Sequence, residues 1–194
     1  MKTFANTFRF YIPLLILAIS CNSPYTSREK GYYKIDMPQR KYIRFENPAF
    51  PYSFEYPAYA NIVRDSAYFD SSSQNPFWIN IDFPSFNGKI FISYKTIGGS
   101  SNYKVKKNGS YKDSTGINTF EKMVNDSYNL TYKNNIKAYS IEDSLMHTPN
   151  GVSGIFFRLS GSVATAKQFF LSDTTQNFLR GALYFDVTPN EDSL

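Results

Sequence analysis

The residue types that most often do chemistry are thinly spread along this 194-residue chain. His147 is the single histidine, and its surroundings, "SLMHTPNG", are typical of a turn between strands. The aspartates in the middle of the chain are far apart in sequence, at Asp65, Asp70, Asp82, Asp113, Asp126 and Asp143. Metal sites need clustered His, Cys or carboxylate groups. The sequence therefore predicts no enzyme, metal site or cofactor, although a carboxylate pair for sugar cleavage could still assemble in the folded chain.

A different chemistry is predicted for Cys21, the only cysteine, at the end of "LLILAISC". Lys2 and Arg9 form a short cationic head, and the apolar stretch from Phe10 to Ile19 has about half of the ~20 residues that a membrane-spanning helix needs. This order resembles a bacterial lipobox, in which the cysteine thiolate is alkylated by a diacylglyceryl group and the chain is cleaved just before it. We therefore expect Cys21 to be the lipid attachment site.

The lipobox divides the chain into three parts. We expect a lipoprotein signal peptide over residues 1–20, a lipidated tether over 21–30 and a single globular domain over 31–194. The tether is predicted because "NSPYTSREK" is polar and offers little to a core. Since the only thiol would carry the lipid, the domain can form no internal disulfide and depends on its core alone. The lipid would hold the protein on a membrane.

The charge of the chain argues against a nucleic-acid partner. The formal net charge is +5, and it falls to +3 when Lys2 and Arg9 leave with the signal peptide. Basic and acidic residues are interspersed, which is not the pattern of a nucleic-acid surface. The densest basic stretch is "YKVKKNGSYK" at 103–112, and we expect it to be a solvated loop.

Aromatic residues are the most prominent feature, with 18 Phe and 16 Tyr. Most must lie in the core, because a domain without disulfides needs their buried area. Tyrosine is also common at protein interfaces. Tyr32 and Tyr33 lie in a proline-rich segment at 31–57 and are candidate partner-binding residues. The alternative interpretation is that this segment packs as a cover over the sheet.

A second candidate partner-binding set lies in "FLRGALYFDV" (178–187). Arg180, Tyr184 and Asp186 alternate along one strand face, which we expect to be the more solvated face. Arg180 has two interpretations. The slightly favoured one is a charge that protects the edge of a sheet. The other is a docking anchor, in which case Gly181 would leave room for a neighbouring side chain.

The elements that would position these residues follow from periodicity and turn signals. Alternation predicts strands in "WINIDFP" (78–84) and "KIFISYKTI" (89–97), joined at Asn87-Gly88 into a hairpin. Phe120, Val124, Tyr128 and Tyr132 recur at four-residue steps and predict a helix between Ile117 and Ile136, with a start at Asn118-Thr119. Four strands follow as a meander. The expected fold is α+β, an antiparallel sheet made of the hairpin and the C-terminal four-strand meander, with the helix packed on one face.

Several stretches together resemble the gliding-motility lipoprotein GldD family, and they run in order along nearly the whole chain after Cys21. They are "GYYKIDMP" (31–38), "PYSFEYP" (51–57), "WINIDFPSFN" (78–87), "SYK" (93–95), "QFFLSD" (168–173), "FLRGALYFDV" (178–187) and "PNEDSL" (189–194). In shape, the order of elements is similar to that of PsbP/Mog1-like α+β domains, which is a fold analogy and carries no function.

The resemblance implies an exported lipoprotein that is required for gliding on surfaces and is linked to type IX protein secretion. The resemblance does not imply a molecular role, but the sparse catalytic residue types lead us to expect a non-enzymatic component that acts through contacts with other gliding and secretion proteins of the cell envelope. It would be anchored in the cell membrane or the inner leaflet of the outer membrane, with its domain facing the periplasm. The alternative is a periplasmic lipoprotein that binds a small molecule or glycan through its aromatic residues.

Overall fold

The computed structural model describes residues 36, 38–64, 76–107, 109–133 and 137–188. Cys21, Tyr32, Tyr33 and the predicted signal peptide and tether lie outside these residues. The described residues from Pro38 onward form one compact unit. The strands are β1 (Tyr42–Phe45), β2 (Phe54–Pro57), β3 (Asn61–Arg64), β4 (Ile79–Phe83), β5 (Gly88–Thr96), β6 (Ser100–Lys107), β7 (Ser110–Ile117), β8 (Ala138–His147), β9 (Ser153–Gly161), β10 (Lys167–Ser172) and β11 (Asn177–Phe185), and the helix α1 (Phe120–Tyr132) lies between β7 and β8.

Antiparallel strands with one described helix confirm the predicted α+β class. The main sheet has seven strands in the order β3-β4-β5-β11-β10-β9-β8. The last four strands pair with one another in chain order, and β11 then pairs with β5, so that β11 occupies the centre of the sheet. Within the described part of the chain, no helix is long and apolar enough to cross a membrane.

The hairpin of β4 and β5 turns at Asn87-Gly88, where the sequence signal lies. A 3-10 turn over Pro84–Phe86 leads into Asn87, whose φ of 47° is left-handed, a conformation that asparagine tolerates. The strands pair with Ile79 opposite Ile92 and Asp82 opposite Lys89. Because successive side chains alternate, Ile79, Ile81 and Ile92 share one buried face.

Helix α1 packs on part of the other face of the main sheet, the face away from Ile79, Ile81 and Ile92. It begins after Thr119, whose Oγ1 accepts a hydrogen bond from Lys122 N, so that the predicted start at Asn118-Thr119 holds. Ile117, the first residue of the segment in which the sequence predicts the helix, is the last residue of β7. Its core-facing residues pack over β9, β10 and the start of β11, in a cluster that contains Met123, Phe157, Leu159, Val163, Phe170 and Phe178.

Aromatic rings from the start of the described chain cover the face of the sheet opposite α1. The β1–β2 hairpin and its connecting loop supply Phe45, Phe50, Tyr52, Phe54 and Tyr56, which pack against the isoleucines of β4 and β5. The Tyr52 hydroxyl donates a hydrogen bond to Phe77 O. In its described part, the proline-rich segment therefore packs as a cover over the sheet.

The stretch at 103–112 is exposed to solvent as expected, but the prediction of a loop is wrong. Strands β6 and β7 form a two-stranded hairpin of their own, and Gly109 takes a φ of 80° in its turn. Most of its described side chains are exposed, in keeping with its lysines. Lys122 of α1 places its Nζ 4.3 Å from the centre of the Tyr103 ring, a cation–π contact between helix and hairpin.

Candidate functional site

A groove of about 1400 Å³ lies between α1 and the strands β4, β5 and β11. It exists because α1 packs over β9 and β10 and leaves the same face of the neighbouring strands uncovered. The floor of the groove is built by alternation. Lys89, Phe91, Ser93 and Lys95 of β5 lie opposite Tyr184, Ala182, Arg180 and Phe178 of β11, respectively, and all eight line it.

Arg180 lies on the central strand of the sheet and is half-buried in the groove floor. Its Nη2 donates a hydrogen bond to Gln168 Oε1 at 2.5 Å, across from β11 to β10. Burial lowers the pKa of the Arg180 guanidinium below its usual value, and Tyr184 acts in the opposite direction. The group still carries its charge, because a guanidinium stays protonated in proteins.

The interpretation of Arg180 as an edge charge is wrong, since β11 pairs with β5 on one side and with β10 on the other. The expectation of a solvated face is also wrong for part of this strand. Phe178 and Ala182 are buried on the same face, Phe178 under α1. This face is the floor of a groove and not an open surface.

Gln168 belongs to a buried polar group beneath Arg180. The residue is 1% exposed, and among the described residues its Nε2 has no hydrogen-bond partner. Thr131 Oγ1 lies 3.3 Å from Gln168 Oε1 and 2.9 Å from Ser127 O, its other acceptor on α1. The single hydroxyl hydrogen of Thr131 is shared between these two acceptors, and Arg180 is the other donor to Gln168 Oε1, so the Arg180 side chain is held against a buried side chain.

Lys95 is the second cation of the groove floor. It lies diagonally from Arg180 in the antiparallel ladder, where such neighbours are about 7–8 Å apart. Burial lowers the pKa of the Lys95 ammonium below its usual value, Asp126 on α1 acts to raise it, and Lys122 lowers it. Lys89 at the other end of the floor is paired with Asp82, with Nζ 3.3 Å from Oδ1.

Apolar side chains on both the sheet and the helix contribute to the groove lining. The rings of Phe91 and Tyr184 meet edge to face with centres 5.4 Å apart, and Tyr184 remains 38% exposed. Trp78 lines the groove and anchors its indole by donating from Nε1 to Tyr94 O at 3.1 Å. On the helix side, Leu130 and Tyr132 line the groove and are 42% and 46% exposed.

The groove brings together the candidate residues Arg180, Tyr184 and Asp186, but only the first two lie on the last strand, which ends at Phe185. Asp186 lies just after β11, is exposed, and donates from its backbone N to Asn87 O at 2.8 Å. It therefore belongs to the mouth of the groove, next to the β4–β5 turn.

His147 lies away from the groove lining, as the last residue of β8 at the edge of the sheet. Its Nδ1 is 2.9 Å from Ser153 Oγ, its partner across the β8–β9 pair. The expected turn begins directly after it. In the described ranges, His, Cys, Asp and Glu side chains form no group of three or more that could hold a metal ion.

Sequence reasoning missed the contributions of Trp78, Phe91, Lys95, Gln168 and Leu130. The alternation in β5 contained a usable signal, since Lys89, Phe91, Ser93 and Lys95 all fall on the face opposite its isoleucines. The same pattern could not predict which strand pairs with β5, because β5 and β11 are distant in sequence.

Comparison with known proteins identifies the family of the chain. A family model described as gliding motility lipoprotein GldD matches residues 22–194. Neither a curated protein nor a solved structure matches the chain, so the analogy with PsbP/Mog1-like domains stays a prediction. The family match covers every strand and the helix described above. The chain therefore belongs to the gliding motility lipoprotein GldD family.

Proposed function

We propose that this gliding-motility lipoprotein is a non-enzymatic component of the motility machinery, linked to type IX protein secretion, that acts through protein contacts at the groove. The observation that carries the proposal is the composition of the groove. It combines the half-buried Arg180 with the exposed ring of Tyr184 on one strand, and arginine and tyrosine are enriched among the residues that dominate interface energetics.

The proposed location follows from the lipobox at Cys21. Two or three acyl chains on this residue are enough for stable anchoring, whereas one chain is marginal. The domain then faces the periplasm from the cell membrane or from the inner leaflet of the outer membrane. In either place it meets other envelope proteins, and no nucleic acid is expected as a partner.

A second candidate function is the capture of a small molecule or glycan. The aromatic lining favours it, because Trp78, Phe91 and Tyr184 offer ring surfaces in one groove. Pockets for small ligands are concave, lined by apolar and aromatic side chains, and contain a few polar groups that fix the ligand. Protein contact is preferred because the groove has a volume of about 1400 Å³ and its exposed apolar residues lie on both the helix and the sheet.

The test is photo-crosslinking in gliding cells, with the crosslinking amino acid placed at Leu130 on the groove wall. The matched control places it at Leu145, which is 73% exposed on β8 and does not line the groove. We expect a crosslinked protein from position 130, assigned by mass spectrometry to the motility or secretion apparatus, and none from position 145. Equal crosslinks at both positions, or a co-purified glycan in place of a protein, would contradict the proposal.

A further inference from the structure

The groove floor contains a positive charge that the described residues do not neutralise. Arg180 donates to the neutral amide oxygen of Gln168, and no described carboxylate lies within ion-pair distance of its guanidinium. A half-buried charge without an opposite charge is unfavourable, since it has lost part of its hydration. The floor of the groove is thus arranged to gain free energy when an anion binds beside Arg180.

We infer that the groove binds an extended segment of a partner protein that presents a carboxylate, from Asp or Glu, to Arg180 and apolar side chains to the walls. This inference rests on the proposed function and names the chemistry of the partner. A carboxylate matches the fork of the guanidinium, which can donate two parallel hydrogen bonds to its two oxygens.

The position of Lys95 supports an anionic guest. Lys95 lies diagonally from Arg180 on the same face, and the described Asp126 on α1 compensates part of its charge. Lys89 is already paired with Asp82 at 3.3 Å. Of the three cations on the floor, Arg180 is therefore the one on which no described carboxylate acts, and an acidic side chain entering the groove would meet it there.

The size and walls of the groove favour a chain segment over a compact molecule. Its volume of about 1400 Å³ exceeds the 300–1,000 Å³ of ordinary small-molecule pockets. Apolar side chains stand on two sides of the cation, with Leu130 and Tyr132 on α1 and Phe91 and Tyr184 on the sheet. A segment with apolar residues on either side of an acidic one is complementary to this arrangement.

The test uses the full-length mature chain and two fluorescein-labelled nonapeptide pools. One pool has glutamate fixed at its centre, with Leu, Phe, Tyr or Trp at the positions next to it, and the other is identical except for a central glutamine. Fluorescence polarisation measures the affinity of each pool. We expect the glutamate pool to bind at least tenfold more tightly, because only the carboxylate neutralises Arg180. Equal affinities, tighter glutamine binding or no binding of either pool would overturn the inference.

Two variants place the effect at Arg180. Arg180→Gln removes the charge but keeps a side chain that can donate to Gln168, and it should bring the two pools to within about twofold of each other. Gln168→Glu supplies a carboxylate from inside the protein, and it should weaken binding of the glutamate pool at least tenfold while leaving the glutamine pool unchanged. Thermal melts verify that both variants are folded.

The control variant is Arg158→Gln, an exposed arginine on β9 that faces Glu142 of β8 and does not line the groove. It should leave the preference for glutamate unchanged, and a loss of preference in this variant would mean that net charge and not the groove selects the peptide. The preference must also disappear in Arg180→Gln, and its persistence there would overturn the inference.

The failure of this inference can be told apart from failure of the proposed function. If neither pool binds while position 130 still crosslinks to an envelope protein, the function stands and the acidic guest is wrong. If an acidic oligogalacturonate binds and neither peptide pool does, the groove is a glycan site. In that case both the proposed function through protein contacts and the inferred acidic segment are wrong.

Discussion

The ring of Phe169 lies directly over Gly181 of the neighbouring strand. A β-carbon at Gly181 would come within 2.3 Å of Phe169 Cε1, far closer than any real side-chain contact. The two residues are opposite each other in the β10–β11 pair, at the centre of the sheet. The space beside Gly181, which the docking interpretation of Arg180 assigns to a neighbouring side chain or backbone, is filled by the Phe169 ring of the protein itself.

This contact predicts the effect of Gly181→Ala. The added methyl group must displace the Phe169 ring, which packs against the isoleucines of β4 and β5, and overpacking of this kind costs about 1–3 kcal/mol of unfolding free energy. Urea denaturation measures it. Combining Gly181→Ala with Phe169→Leu should relieve part of the clash, so that the double variant loses less than the sum of the two single losses. Simple additivity would contradict the proposed clash.

Local patterns are enough to predict β4, β5 and the four last strands. Ile79, Ile81 and Ile92 are buried as their alternation indicates, because which face a strand residue occupies is fixed by its neighbours in sequence. The hairpin of β6 and β7 had a usable signal in Asn108-Gly109. The lysines and serines of its strands leave no continuous apolar face, and without such a face composition favours a solvated loop.

The groove is harder to predict, because it depends on pairing between distant segments. The position of Arg180 follows from the pairing of β11 with β5, and no local pattern specifies that partner. The burial of Phe178 follows from where α1 lies, which is also a long-range property. Arg180, Tyr184 and Asp186 could be selected as a set from the sequence, but their surroundings could not.

Asp173 predicts a pH dependence of stability. Its Oδ1 accepts hydrogen bonds from the backbone N of Thr175, Gln176 and Asn177 in the β10–β11 turn. Burial acts to raise the pKa of this carboxyl, but the hydrogen bonds from Asn177, Gln176 and Thr175 outweigh it, and the pKa falls well below its usual value. The stabilising contribution is then complete above the unfolded-state pKa of about 4 and is lost as the pH falls towards the folded-state pKa.

We expect Asp173→Ala to lower the free energy of unfolding at pH 7 by about 1–2 kcal/mol, the size of a lost side-chain cap on backbone N–H groups. The difference from the unmodified protein should shrink as the pH is lowered below about 4. Asp173→Asn is the matched control, since its amide oxygen can still accept from the turn without titrating. Urea melts at pH 7 and pH 3 provide the measurement. A difference that grows at low pH would show that the carboxylate does not stabilise the turn.

His147 should be dispensable. Its exposed ring contacts the hydroxyl of Ser153 at the sheet edge and has no part in the groove. His147→Ala is expected to change the unfolding free energy by no more than about 0.5 kcal/mol, as for other exposed positions. Cell spreading on agar should match the parent strain. A folded, normally abundant His147→Ala protein in non-gliding cells would instead indicate a chemical role for the imidazole and argue for an enzyme.

Cys21 is predicted to carry the lipid. Cys21→Ser replaces the thiol by a hydroxyl, which is too weak a nucleophile to form the thioether at neutral pH. The variant should incorporate no labelled palmitate and should keep its signal peptide, which gel mobility reports. Incorporation of label into the variant would place the acyl group on another residue.

The last prediction concerns Arg180→Lys, which separates charge from shape. The structure removes the edge-charge explanation, since β11 is paired on both sides, so lysine has no edge to protect. A lysine ammonium can still donate to Gln168 Oε1, and we expect the unfolding free energy to change by less than about 1 kcal/mol. It cannot form the two parallel hydrogen bonds of a guanidinium with a carboxylate.

If Arg180 anchors a partner through that fork, its replacement by lysine should cost about 2 kcal/mol of binding, as expected of an interface hot spot. The measurable result is weaker crosslinking from position 130 and reduced spreading of cells that contain normal amounts of the variant. Arg158→Lys, on the exposed surface of β9, is the matched control and should be neutral in both assays. Crosslinking and spreading at parental levels in Arg180→Lys would mean that any positive charge suffices at this position, because a fork-dependent contact cannot survive the loss of the guanidinium.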